Sequence, residues 1–157
     1  MSIRKGIESD IDGICALSNE INMEHYRNMP KDFLKPDGSN RDEPYWKEFL
    51  EGDNSIVYVA EKSGVIVGAV SASVSSTALV PFIVSRARCQ VATIVVTEKY
   101  RGKDIGRKLM SVVEVFAKEK GATDIRLEVM GFNSGAIEFY KELGFDNFSS
   151  RLSKSLP

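Results

Sequence analysis

The chain has 157 residues, 43% of them hydrophobic and 27% charged, the make-up of a soluble globular protein with one substantial core. Its formal net charge of −1 argues against nucleic acid as the main partner, and no apolar run approaches the roughly 18 residues of a membrane span. One histidine, His25, and two distant cysteines, Cys15 and Cys89, leave little material for a zinc site or a histidine triad.

The N-terminus, MSIRKGIESD, has no apolar core of a secretory signal, and two unpaired thiols suit a reducing cytoplasm. Ile3 to Ile7 reads as a short strand. Ser9 or Asp10 then caps a helix with apolar positions Ile11, Ile14, Leu17 and Ile21. Residues 28–40, rich in Pro, Asp, Lys and Gly, form a loop. Glu43 to Leu50, with Pro44 in its first turn, is a second helix carrying Tyr45, Trp46 and Phe49. Ile56 to Glu61 and Val65 to Val74 are strands joined by a hairpin turn at Lys62-Ser63-Gly64. Pro81 removes Ser75 to Arg86 from a central strand, which leaves a strand end and a loop.

Arg88 to Thr97 is the next strand and leads into the most informative stretch, IVVTEKYRGKDIGRKLMSVVEVF, from Ile94 to Phe116. A β-branched strand gives way to a basic turn and then to a helix with apolar positions Ile105, Leu109, Val112, Val113 and Phe116. The unpaired N–H groups and partial positive charge of a helix start are a seat for phosphate. Lys99, Arg101, Lys103, Arg107 and Lys108 crowd that place. The same turn also reads as an ordinary connection with solvated cations. It is neither a Walker loop, since Lys103 is followed by Asp104, nor a G-x-G-x-x-G fingerprint.

Gly121 stops the helix. Asp124 to Met130 then alternates as a strand, with Ile125, Leu127 and Val129 on one face and Arg126, Glu128 and Met130 on the other. Asn133 caps a helix with stripe Ala136, Ile137, Tyr140 and Leu143, and Phe145 to Leu156 offers one or two last strands. The order β-α-α-β-β-β-α-β-α-β implies a mixed sheet with helices on both faces, in one domain over residues 1–157.

Two stretches carry a resemblance. VVTEKYRGKDIGRKL resembles the [RQ]-x-x-G-x-[GA] signature of the GNAT superfamily of acetyl-CoA-dependent N-acetyltransferases, and NSGAIEFYKELGF, about thirty residues later, resembles its motif N-x-x-A-x-x-x-Y-x-x-x-G-F. The resemblance implies an α/β fold with a mixed sheet of about six to seven strands, splayed between its two middle parallel strands. Acetyl-CoA would lie in the splay as acetyl donor, with no metal. Ile94, Val95 and Val96 would offer backbone groups to its arm. Arg101, Gly102, Lys103, Asp104, Ile105, Gly106 and Arg107 would wrap its diphosphate, with Asn133 against the arm and Tyr140 near the sulfur. Asp104 departs from the pattern, placing a carboxylate where the signature has its first glycine.

In that reaction a neutral amine attacks the thioester. An alkyl ammonium, with a pKa of about 10.4, must first lose its proton. A backbone N–H around Val95 would stabilise the carbonyl oxygen. Tyr140 is the candidate acid for the departing thiolate. Glu128, twelve residues before it, is the candidate base, a spacing shared with ribosomal-protein N-terminal acetyltransferases of the superfamily; Glu98 is an alternative. Both Tyr140 and Glu128 also read as ordinary core and surface residues.

Acids outnumber bases between Glu20 and Asp53, which hints at a cationic amine such as a polyamine, aminoglycoside or lysine-bearing peptide. Tyr26, Phe33, Tyr45 and Trp46 are possible lining residues. Acetylation of a small-molecule amine is the first reading; protein or peptide acetylation and a non-catalytic acetyl-CoA sensor are the alternatives. The resemblance also makes a homodimer an expectation.

Overall fold

In the computed structural model, which describes residues 1–157, a tight turn at Lys62-Ser63-Gly64 joins the two strands at the centre of the fold. The strands are β1 (Ser2–Lys5), β2 (Ser55–Lys62), β3 (Val65–Ser75), β4 (Arg88–Val96) and β5 (Ile125–Arg126). The helices are α1 (Ile11–Asn28), α2 (Glu43–Glu51), α3 (Ile105–Glu119) and α4 (Ser134–Glu142). The sheet runs in sequence order from β1 to β5, antiparallel until the last pair, β4 with β5, which is parallel.

Strand alternation sorts the core into two layers. On one face Val57, Val59, Ala69 and Val95 meet Ile11, Ile14, Cys15 and Leu17 of α1 and Trp46 of α2. On the other, Ala60, Val70, Ala72, Cys89 and Val91 meet Ile105, Leu109, Met110, Val113 and Phe116 of α3, with Phe139 of α4 and Leu143 just after it at the edge. The periodicity of α3 therefore reports a real buried stripe. Cys15 and Cys89 lie in different layers, and burial pushes each thiol up to about 11.

The start of α1 is fixed by ions rather than by a side-chain cap. The Asp10 carboxylate accepts two hydrogen bonds from the Arg4 guanidinium, both at 2.8 Å, and one from the Ile7 N–H at 2.9 Å. Arg4 also reaches Glu61 at 2.7 Å, tying β1 and β2 to the head of the helix.

Two expectations are corrected. The sheet has five strands rather than six to seven, because residues 145–157 make no ladder. The strand expected over Asp124 to Met130 shrinks to Ile125–Arg126, which pair with Cys89 and Gln90. A strand exists only where a neighbour supplies hydrogen bonds. One extra residue in β4, between the pairs Ser71–Thr93 and Ala72–Val91, makes a bulge, which sharpens local twist. Beyond Gln90 the two strands no longer pair, and the residues after Arg126 lie at an open edge.

Candidate functional site

The divergence of β4 from β5 opens a cavity of about 800 Å³. Ile94, Val95 and Val96 of β4 form one wall, and Asn133, Ala136, Phe139 and Tyr140 on and before α4 form the other. The turn from Tyr100 to Arg107 closes one end, and Ile21, Glu24 and Asn28 of α1 close the side.

Backbone directions on β4 follow from two bonds. The Thr97 N–H donates to the Val67 carbonyl at 3.0 Å, toward β3, while the Val96 carbonyl accepts from Arg101 Nε at 3.0 Å, away from it. In an antiparallel strand these directions alternate by residue. The amide and carbonyl groups of Ile94 and Val96 thus face the cleft, and those of Val95 face β3. Of the three residues expected to offer backbone groups to the arm, Val95 therefore lines the cavity without aiming its amide there, and the N–H expected around Val95 is that of Ile94 or Val96.

The turn has the geometry of an anion seat. Gly102 has φ 71°, a conformation open to glycine at no steric cost, and Asp104 follows with φ 61° as the residue heading α3. The Asp104 side chain makes no capping bond, so the first N–H groups of α3 have no side-chain partner there. Its carboxylate instead lies 3.6 Å from Arg107, whose guanidinium also faces Glu142 at 3.8 Å. Gly106 is needed for closeness: a Cβ there would stand 3.0 Å from the tip of the Phe139 ring, so its absence lets α4 approach α3.

Asn133 caps α4, its side-chain oxygen accepting from the Ala136 N–H at 3.1 Å. The half-buried Tyr140 stands between Phe139 and Phe145, with ring centres at 5.4 and 5.8 Å. Burial pushes its phenol up to about 12, so it stays protonated across the neutral range.

The structure brings Ile94, Val95, Val96, Arg101, Gly102, Asp104, Ile105, Gly106, Arg107, Asn133 and Tyr140 around one cavity. Lys103 and Glu128 are not among its lining residues. Glu128 lies on the edge left unpaired beyond β5, is 54% exposed at its side chain and faces Arg151 at 3.6 Å. Nor do the four aromatics Tyr26, Phe33, Tyr45 and Trp46 line it: Trp46 is fully buried in the core, and Tyr45 bonds Thr93 at 2.7 Å.

Glu24 is the acid of the Glu20–Asp53 stretch that lines the cavity, 3.4 Å from Arg101. Tyr100, Phe132, Phe139 and Glu142 also line it and were not singled out as site residues. The signal that could have found Phe139 and Glu142 is their place beside Tyr140 on a helix facing the cleft.

Residues 21–145 match the family model described as Acetyltransferase (GNAT) family. An uncharacterized N-acetyltransferase of Methanocaldococcus jannaschii, MJ1207, is 30% identical over 145 residues. That match takes in 92% of this chain but 60% of the relative, so the chain spans well under the whole length of that protein. Among solved structures, a point mutant of the BH1408 protein from Bacillus halodurans superposes with TM-score 0.93 at 22% identity, over all of both chains. The aminoglycoside acetyltransferase AAC(6')-Iy, in complex with a CoA-linked bisubstrate analog, superposes with TM-score 0.73 at 18% identity, over 99% of this chain and 97% of that one. With the strand divergence, the basic turn and the Asn133 to Phe145 helix all inside the matched region, the chain belongs to the GNAT acetyltransferase family.

Proposed function

We propose that the protein transfers an acetyl group from acetyl-CoA to a primary amine of a small cationic molecule. The observation that carries this reading is the cleft itself, in which a half-unpaired strand leads directly to a phosphate-type turn at a helix start. The fit to the donor is chemical. Ile94 and Val96 present strand groups to an amide-bearing arm, and the turn at Gly102 presents N–H groups to a diphosphate. Bound there, acetyl-CoA supplies the activated acyl group and a thiolate leaving group.

The chain's own groups then have distinct tasks. The Val96 N–H, or that of Ile94, donates toward the carbonyl oxygen on which charge develops. Tyr140, held neutral by its burial, gives its proton to the departing sulfur. Glu24, on the α1 wall, attracts the acceptor's ammonium group and takes its proton through water. It replaces Glu128 in that role, because Glu128 lies outside the cavity lining.

Support from relatives is of two kinds. The solved aminoglycoside enzyme binds an analog joining CoA to an amine, and further relatives are named as N-acetyltransferases. The test is thiol release from acetyl-CoA across a panel of polyamines, aminoglycosides and peptides. Amine-dependent release with a small cationic acceptor is expected. Release with peptides alone would move the substrate class, and no release with any amine despite acetyl-CoA binding would refute the enzymatic reading.

A further inference from the structure

Three lysines converge on one ring at the end of the cleft. The ammonium of Lys62, from the end of β2, stands 4.8 Å from the centre of the Tyr100 ring, that of Lys103 5.1 Å and that of Lys99 5.8 Å. Attraction to a partly exposed aromatic ring is weak, and three like charges around one ring repel each other. No ion pair of the structure uses any of the three. Of the acids beside them in the chain, Glu61 pairs with Arg4 at 2.7 Å and Asp104 lies 3.6 Å from Arg107, while Glu98, next to Lys99, makes no ion pair and offsets one of the three charges at most. In a chain of net charge −1 this is a concentrated patch of positive charge outside any ion pair.

Its position says which anion fits. Tyr100 lines the cavity, and Lys103 sits between Gly102 and Asp104 in the turn assigned to the diphosphate. A second anion held here must be joined closely to that diphosphate. Acetyl-CoA has such a group one ribose away, the 3′-phosphate, a monoester that carries about 1.5 to 2 negative charges at neutral pH. Backbone N–H groups suit the inner diphosphate, whereas compact ammonium groups on flexible stems suit a freely rotating monoester.

We propose that Lys62, Lys99 and Lys103 form an anion subsite around Tyr100 that takes the 3′-phosphate of acetyl-CoA. The protein thereby selects the 3′-phosphorylated donor over its dephosphorylated form. The inference rests on the acetyl-CoA reading of the cleft.

The test is calorimetric titration of acetyl-CoA and 3′-dephospho-acetyl-CoA into the wild type and a Lys62→Gln, Lys99→Gln double variant. Neither substitution touches residues 101–107, and thermal unfolding verifies that the variant folds. The wild type should prefer acetyl-CoA by about tenfold or more, the scale of one charge-assisted hydrogen bond. The preference should shrink with added salt. In the variant, which keeps Lys103, it should shrink severalfold, with affinity for the dephospho form unchanged.

Equal affinities in the wild type would overturn the subsite while leaving the acetyl-CoA reading intact. A preference undiminished in the variant would also overturn it. Failure of both ligands to bind the wild type would remove the acetyl-CoA reading and the subsite together.

Discussion

Replacing Asp104 by asparagine should tighten acetyl-CoA binding and slightly destabilise the fold, two effects of opposite sign from one charge. The residue heads α3 with φ 61°, a left-handed conformation that asparagine adopts as readily as aspartate. Its carboxylate, 73% exposed, engages Arg107 at 3.6 Å in the seat proposed for the diphosphate. Removing the charge lifts repulsion toward phosphate and frees Arg107. Two unit charges about 4 Å apart interact by about 1 kcal/mol in water, and the exposure of Asp104 puts it near that limit. A gain of about fivefold in Kd follows. The lost favourable charge at the helix start costs about 0.3–1 kcal/mol of stability. Asp104→Gly should also bind more tightly, but it changes backbone freedom as well, so asparagine isolates the charge. Titration calorimetry at low and high salt reads the first effect and thermal unfolding the second. Unchanged or weaker binding by the asparagine variant refutes the repulsion argument, and a gain insensitive to salt refutes its electrostatic origin.

Tyr140→Phe should lower kcat by about a hundredfold or more while leaving acetyl-CoA affinity unaltered, the signature of a lost proton donor; wild-type turnover would remove Tyr140 from the chemistry. Gly106→Val should drive α3 from α4, since even a Cβ meets Phe139 at 3.0 Å. A loss of about 1–3 kcal/mol, a fall of several degrees in Tm, is expected, and an unchanged Tm would show that the two helices separate freely. Asp10→Asn should flatten the acid limb of stability. Arg4 holds the Asp10 carboxyl below its ordinary value, so the carboxylate stabilises the fold above about pH 3.9 and loses that contribution as pH falls through the depressed folded value. Denaturant titrations at neutral and acid pH should find the variant weaker by about 1–3 kcal/mol at pH 7, with the gap closing in acid.

The parts of this site legible in the sequence are those set by local chemistry. Asn133 caps α4 because its short side chain reaches an N–H three residues on, and the stripe of α3 is buried because its period is helical. The basic turn was visible for the same reason. Alternation after Asp124 misled because a period of two tells which face a side chain takes, not whether a neighbouring strand exists. Glu128 does face away from the core layer, but that face belongs to an unpaired edge, where Arg151 meets it. Glu24 and Phe132 reach the cleft only through the packing of α1 and of the segment before α4, which no local pattern encodes.

Arg101 shows why backbone direction, more than residue identity, decides how the cleft works. The resemblance assigned it to the diphosphate, yet its guanidinium is already divided, Nε to the Val96 carbonyl at 3.0 Å and its far nitrogen to Glu24 at 3.4 Å. One side chain thereby links the end of β4, the turn and α1. Of the four cleft-facing groups of Ile94 and Val96, the Val96 carbonyl is occupied, which leaves the Val96 N–H and both groups of Ile94. A ligand arm can add to β4 as a strand up to the Val96 N–H and no further. Beyond it the guanidinium blocks the ladder, and the next N–H groups available are those of the turn. In the proposed reading, strand-like docking would give way to phosphate-like docking at the point where Arg101 crosses.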